Sequence, residues 1–321
     1  MRKMYGIAVD IGATYTRVAL GDDAGRLLEV IKFRTRELKT PDEMSEKIAQ
    51  ISLDLVRRYG VKVEGVGIGS AGPLDIQEGE IVNSPNMPFK KIPLVKPLRE
   101  KLGLPVALAN DCNAAVVGEK VWGAGRGYEN IVYVTISTGI GGGAYVNGSL
   151  LLGKDGNAVE VGHIVVDSQE RLVCGCGGRG HWEAYSSGSG IPRYAYLLAR
   201  ENPDLWKRSL LSSLEEITAK DVFDAYRKGD SFAKKILEDV LRYNDYGFSA
   251  IINYFDPEVL TIGGSVALNN KDILIEPLEK RLRKYLINRP PRIMHTPLGE
   301  NVVLLGALAI ALGKEERILP R

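Results

Sequence analysis

The chain has 321 residues, enough for about two domains of ordinary size and for a core that needs no disulfide help. Its 42 Lys and Arg against 40 Asp and Glu leave a net charge of +2, with both signs mixed along the length, which excludes the basic footprint of a nucleic-acid binder and an acidic tail alike. Cysteine and histidine are scarce at three each, while glycine is abundant at 36, and so few cysteines make no disulfide framework.

The opening stretch MRKMYGIAVDIGATYTRV meets Asp10 and Arg17 too early for a signal-peptide core, and the longest apolar run, Val302 to Leu312, is too short to span a bilayer. A cytoplasmic protein with neither membrane nor nucleic-acid partner is expected. Tyr5 to Val9 reads as a strand ending in Asp10, and Tyr15 to Leu20 as a second strand after Gly12. Arg26 to Phe33 returns as a third strand. From Pro41 to Tyr59 the apolar residues Met44, Ile48, Ile51 and Leu55 share one helix face, with Gly60 as the stop. Val63 to Ile68 follows as a buried strand, completing an α/β unit that is not a simple βαβ alternation. Shifted by 127 residues, the opening repeats: Asp10 falls on Ser137 and Gly12 on Gly139, and strands 131–136 and 143–146 match the first hairpin. Two related lobes follow, joined through Leu108 to Glu119, with the helical segment from Val302 packing back on the first. Ser231 to Phe255 reads as a long core helix, and Val259 to Ile262 as a strand running into Gly263-Gly264.

Four motifs carry candidate chemistry. Gly67-Ile-Gly-Ser-Ala-Gly72 is formally GxGxxG after a strand, but Pro73-Leu74-Asp75 reads as a turn with no helix following, so a dinucleotide site is rejected, and no P-loop exists. The paired glycine turns Asp10-Ile-Gly12-Ala-Thr14 and Ser137-Thr138-Gly139 offer backbone N–H groups and hydroxyls to phosphates, and Asp10 is suited to Mg²⁺ through water. With the diglycine at 263–264 they indicate a nucleotide cleft between the lobes. Asn110-Asp111 serves either as a helix N-cap or as a carboxylate that takes a proton from a substrate hydroxyl, and one residue can do both. Finally, Glu160-Val-Gly-His163 precedes Cys174-Gly-Cys176-Gly-Gly-Arg-Gly-His181-Trp-Glu183. Four N/S ligands (His163, Cys174, Cys176 and His181) suit a closed tetrahedral, structural Zn²⁺ site.

Together these motifs resemble the ROK family (repressors, open reading frames and sugar kinases), and within it the glucokinase-like enzymes. The resemblance rests on DIGATYTRVAL at 10–20, SAGPLD at 70–75, NDCNAAVVGE at 110–119, STGIGGG at 137–143, EVGH…CGCGGRGHWE at 160–183 and the weaker IGGSV at 262–266, and spans nearly the whole chain. It implies an α/β fold of two ribonuclease H-like lobes of the actin/hexokinase type with an interlobe active-site cleft, residues 1–115 plus 300–321 forming a small lobe and 116–299 a large lobe with the zinc loop. It implies ATP-dependent phosphorylation of a hexose, most often glucose at the 6-hydroxyl, with Asp111 as general base. Gly72, Asn86, Asn110, Asp111, Glu160, His163 and Glu183 would bind sugar hydroxyls. Asp10 would organise Mg²⁺, Gly12, Thr14, Thr138 and Gly139 would hold the ATP phosphates, and Gly264 would lie by the nucleoside. A homodimer is implied as well. Two departures stand out: His181 occupies a position where the family usually has cysteine, and Cys112 one where alanine is common. The alternatives are a kinase for fructose, N-acetylglucosamine or N-acetylmannosamine, and a sugar-responsive repressor, disfavoured because only nine residues precede Asp10, too few for a helix-turn-helix module.

Overall fold

The computed structural model describes residues 3–84 and 87–318. Asn86, one of the expected sugar ligands, lies outside the described residues. The chain folds as two compact units, 1–133 with 143–159 and 296–321, and 134–142 with 160–295.

The first unit is built on a five-stranded sheet. β1 (Tyr5–Ile11), β2 (Tyr15–Asp22) and β3 (Leu27–Arg34) form an antiparallel meander, and β4 (Val63–Ser70) returns parallel to β1 after helix α1 (Asp42–Tyr59). A small antiparallel sheet of β5 (Leu74–Asp75), β6 (Glu80–Val82) and β7 (Lys91–Pro93) follows. Then α2 (Val95–Leu102) leads into β8 (Val106–Asn110), parallel to β4, so the strand order is β3-β2-β1-β4-β8. Helix α3 (Asp111–Trp122) starts directly from the end of β8.

Alternation along β1 gives the sheet two faces. Ile7, Val9 and Ile11 face a core shared with Met44, Ile48 and Leu55 of α1, while Ala8 faces the C-terminal helix, Val302–Ala311. That helix is apolar on every side because it is buried on every side, lying on the sheet and along α3. Sequence makes room for it with a row of small residues across four strands: Ala19 pairs with Ala8, Ala8 with Gly67, and Gly67 with Ala107. A Cβ on Gly67 would lie 1.9 Å from the Ala307 carbonyl oxygen. Residues 67–70 of the GxGxxG string are therefore strand and packing surface, as the absence of a following helix implied. Residues 116–133 and 143–159, which the resemblance places in the large lobe, group with this unit, because α3 runs unbroken past residue 115 against the C-terminal helix and Ile131, Tyr133, Tyr145 and Leu150 share a core with both helices.

A second sheet begins with β9 (Ile131–Ile136), β10 (Ile140–Val146) and β11 (Ser149–Leu150). As in the first hairpin, three residues connect its opening strands, 137–139 here and 12–14 there. The second unit contains α4 (Glu183–Ser186), α5 (Gly190–Glu201), α6 (Pro203–Lys207), α7 (Ala219–Arg227), the long α8 (Ser231–Phe255), and strands β12 (Val259–Gly263) and β13 (Arg292–His295). The sheet order is β11-β10-β9-β12-β13. The Asp230 carboxylate caps α8 by accepting from the N–H groups of Phe232 and Ala233. Trp182, fully buried, meets Phe248 of α8 edge to face and donates its indole N–H to Asn244 Oδ1 at 2.8 Å. Among the described residues no helix is long and apolar enough to cross a membrane.

Candidate active site

In the first unit the three parallel strands β1, β4 and β8 end side by side, with Ile11 paired to Ser70 and Ser70 to Asn110. In α/β sheets the carboxyl ends of parallel strands are where ligands are met. Here those ends deliver Asp10 and Gly12, then Gly72, then Asn110 and Asp111. A Cβ on Gly72 would sit 3.5 Å from Asn110 Nδ2, so the two lie in contact range. Asn110 is the N-cap of α3: its Oδ1 accepts from the Cys112 N–H at 2.8 Å, and Asp111 Oδ1 shares that same donor at 2.8 Å. Capping thus falls mainly to Asn110, and Asp111 is the first helical residue, next to the positive end of the α3 dipole. Burial pushes the Asp111 carboxyl above its ordinary range, and the charge of Asp10 pushes it further. Burial raises Asp10 too, against the pull of Arg17.

Arg17 was not picked out by sequence. Its Nε and Nη2 donate to Asp10 Oδ2 at 2.9 and 2.6 Å, and its far side reaches the Glu300 carbonyl at 2.8 Å and Asn301 Oδ1 at 3.2 Å, at the start of the C-terminal helix. The signal was partly present: residues 10 and 17 carry opposite charges and flank the turn at 12–14, two positions before it and three after, and the hairpin register pairs them. The turn is braced by Thr35, whose hydroxyl donates to the Gly12 carbonyl at 2.7 Å and whose N–H donates to the Thr14 carbonyl at 3.0 Å. Thr14 itself is exposed.

In the second unit the turn 137–139 is held by the segment 187–189: Gly188 N–H donates to the Ser137 carbonyl at 2.7 Å, and the Ser189 hydroxyl to the Thr138 carbonyl at 2.8 Å. Gly264, at φ +87°, approaches the same strand end so closely that a Cβ would lie 2.4 Å from the Ile136 carbonyl oxygen. Thr138, Gly139 and Gly264 are thereby gathered at one end of β9 and β12. Glu183 joins this turn to the cysteine loop. Its Oε2 accepts from the Ile140 N–H at 2.8 Å, and its Oε1 lies 3.6 Å from Cys174 Sγ. The resemblance implies only a sugar contact for Glu183; the structure gives it this stitching role besides.

His163, Cys174, Cys176 and His181 converge, their ligand atoms all within 4.8 Å of one another. Both histidines present Nδ1, 3.3 Å apart. Cys176 Sγ lies 3.3 Å from His181 Nδ1 and 3.6 Å from His163 Nδ1, and Cys174 Sγ lies 3.9 Å from His163 Nδ1. A tetrahedron with Zn–N of about 2.0–2.1 Å and Zn–S of about 2.3 Å has edges of roughly 3.3–3.8 Å, so this donor set fits the ion. His181 stands in the cluster, and burial, then its neighbour His163, hold its pKa down, which favours the neutral form that a metal binds. His163 Nε2 points away, 3.7 Å from Glu160 Oε2, so the ring spans from the cluster to the carboxylate expected to meet sugar.

A family model described as ROK matches residues 6–314. The chain belongs to the ROK family, and its fold is the mixed α/β, actin/hexokinase-like fold of solved ROK kinases. It is 40% identical over 312 residues to a glucokinase of Pyrobaculum calidifontis, covering 97% of this chain and 96% of that protein. Among solved structures it is similar to a ROK hexokinase from Thermus thermophilus, with a TM-score of 0.83 and 31% identity over 98% of this chain and 99% of the other. It is also similar to a ROK glucokinase from Streptomyces griseus in complex with glucose and AMPPNP, with a TM-score of 0.76 and 34% identity over 96% and 99%.

Proposed function

We propose that the protein is an ATP-dependent sugar kinase that phosphorylates glucose, most readily at its 6-hydroxyl. The observation that carries this reading is Asp111, a half-buried carboxylate just past the end of β8, beside Asn110 and Gly72, with a second carboxylate, Asp10, near the end of β1, the next strand but one in the sheet. The full-length likeness to glucokinases supports it. Asp111 accepts the proton of the sugar hydroxyl as its oxygen bonds the γ-phosphorus of ATP and the bond to the β-phosphate oxygen breaks, giving the sugar phosphate and ADP. A carboxylate whose pKa is raised by its surroundings is a stronger base than an ordinary one.

Asn110 and Gly72 orient the hydroxyl, while Glu160, His163 and Glu183 take further sugar hydroxyls, each of which donates and accepts. Gly12, Thr14, Thr138 and Gly139 are assigned to the phosphates, and Gly264 to the nucleoside side. Asp10, steadied through one oxygen by Arg17, is placed to hold Mg²⁺ by way of water, and such an ion neutralises phosphate charge. The zinc site is structural: two thiolates and two imidazoles leave no ligand position open. Three cysteines, none of them in a disulfide, suit a reducing cytoplasm.

A coupled ADP-release assay over glucose, fructose, N-acetylglucosamine and N-acetylmannosamine tests the reading. The highest kcat/KM with glucose is expected. A preference for another of these sugars moves the specificity and keeps the reaction class, and ADP release independent of every sugar overturns both.

A further inference from the structure

The loop that presents Cys174 and Cys176 is tied down from behind by residues that touch none of the four ligand atoms. Arg171 stands three positions before Cys174. Its Nε donates to Asp167 Oδ2 at 3.1 Å, and its Nη2 donates to the Tyr243 hydroxyl at 2.5 Å and to the Tyr194 hydroxyl at 3.3 Å. Asp167 Oδ2 also accepts from the Tyr185 hydroxyl at 2.7 Å, and that hydroxyl oxygen accepts from the Leu172 N–H at 2.9 Å. The Tyr194 hydroxyl donates onward to Asp239 Oδ2 at 2.7 Å. Tyr185 belongs to α4, Tyr194 to α5 and Tyr243 to α8, and all three are at most 3% exposed. Their rings touch pairwise, with centroids 4.7, 5.3 and 5.9 Å apart.

The stretch 167–172 is thus fixed to three helices by charge-assisted bonds sheltered from water, the setting in which such bonds are strong and geometry is rigid. The rest of the loop hangs from it. Gly180 N–H donates to the Leu172 carbonyl at 3.1 Å, the Val166 and Asp167 N–H groups donate to the Gly180 carbonyl at 2.9 and 3.1 Å, and Cys174 N–H donates to the Gly178 carbonyl at 2.7 Å. Both edges of the segment bearing Cys174, Cys176 and His181 are therefore referred back to Arg171 and Asp167.

We propose that Arg171 is a positioning residue for the metal loop, holding Cys174, Cys176 and His181 in ligating geometry through Asp167 and the tyrosine cluster. It rests on the reading of this cluster as a zinc site whose His163 and Glu183 meet the sugar. Ordering a free loop of this length is costly, and a loop already ordered by the protein leaves that cost out of metal binding. Arginine is required rather than lysine, since a planar fork spans Asp167 and Tyr243 together and a single ammonium does not.

The test measures zinc content by mass spectrometry and zinc release into an excess of a chromophoric chelator. It compares wild type, Arg171→Lys, Arg171→Met, Arg171→Met with Asp167→Asn (which leaves only the exposed Glu201 carboxylate without its arginine), and Tyr243→Phe, which keeps the ion pair. Wild type is expected to hold about one zinc per chain. The methionine variants should release it roughly 10–100 times faster, the span seen when groups supporting metal ligands are removed. Arg171→Lys should fall between them and wild type, and Tyr243→Phe should also be faster than wild type. KM for glucose should rise more than kcat falls. Folded, zinc-loaded variants, Tyr243→Phe included, that release zinc at the wild-type rate overturn the role of Arg171 alone. Wild-type protein that carries no zinc overturns the metal reading and this inference with it.

Discussion

Replacing Gly67 with alanine tests the packing that sets the strand ends in place. The added Cβ would meet the Ala307 oxygen at 1.9 Å, and the Ala307 carbon and Ala311 nitrogen at 2.9 Å each, all of them backbone. No side-chain rotation relieves such a clash, so the C-terminal helix must retreat by about 1 Å or more, or the strand must bend. Overpacking typically costs ~1–3 kcal/mol, and a purely backbone clash belongs at the upper end. At ~2–4 °C per kcal/mol, the melting temperature should fall by roughly 5–10 °C. Thermal unfolding followed by circular dichroism measures it. Gly175→Ala, whose Cβ meets nothing within 4 Å, serves as the control and should melt like wild type. A Gly67→Ala protein with unchanged melting and lost ATP affinity would refute the reasoning, because the glycine string would then be a ligand loop.

Other consequences follow from particular side chains. Arg17→Met strands the largely buried Asp10 carboxylate, which is expected to cost up to ~3 kcal/mol in urea denaturation and to raise KM for Mg-ATP; unchanged values for both would remove Arg17 from the site. Val159, a β-branched residue at φ +67° directly before Glu160, carries strain of roughly 1–3 kcal/mol. Val159→Gly should therefore melt at or above the wild-type temperature despite the added chain entropy, and a clear fall would mean that its side-chain packing outweighs the strain. Because Asp111 acts deprotonated and its pKa is raised, kcat/KM should decline on the acid side at a pH above the ordinary carboxylate range. An acid limb within that range would contradict the environment described for Asp111.

Much of the fold was legible because its signals are local. The helix at Ser231–Phe255 and the strand at Ile131–Ile136 follow directly from periodicity and their flanking residues. Asn110, Asp111 and the four metal-ligand candidates could be named for a similar reason, since their chemistry is written into short strings. What escaped is what depends on pieces far apart in sequence. Rejecting the string at Gly67 as a dinucleotide site left its glycine without a role, and Gly67 serves close approach of a helix that begins 235 residues later, a relation visible only in the sheet register. Gly118 and Gly306 do the same where α3 crosses that helix. Arg171 belongs to no motif, because the tyrosines it binds, Tyr194 and Tyr243, come from two separate helices far along the chain. The placement of Asp167 beside it carries no motif that a reader of the sequence would stop at.

The most direct measurement pairs turnover with binding in Asp111→Asn. Asparagine keeps an oxygen to accept from the Cys112 N–H, so the start of α3 and the Asn110 cap are retained. The raised pKa means that ionised Asp111 costs stability. The wild type has the full stability of the neutral acid below the unfolded-state pKa and loses part of it as pH rises through the folded-state pKa, so the variant should melt higher at pH 7 and similarly near pH 3. Glucose binding by calorimetry should stay within a few-fold of wild type, while glucose-dependent ADP release falls by about 10²–10⁴. Near-normal turnover in a folded, glucose-binding Asp111→Asn protein would contradict the assignment of Asp111 as the base and the mechanism built on it.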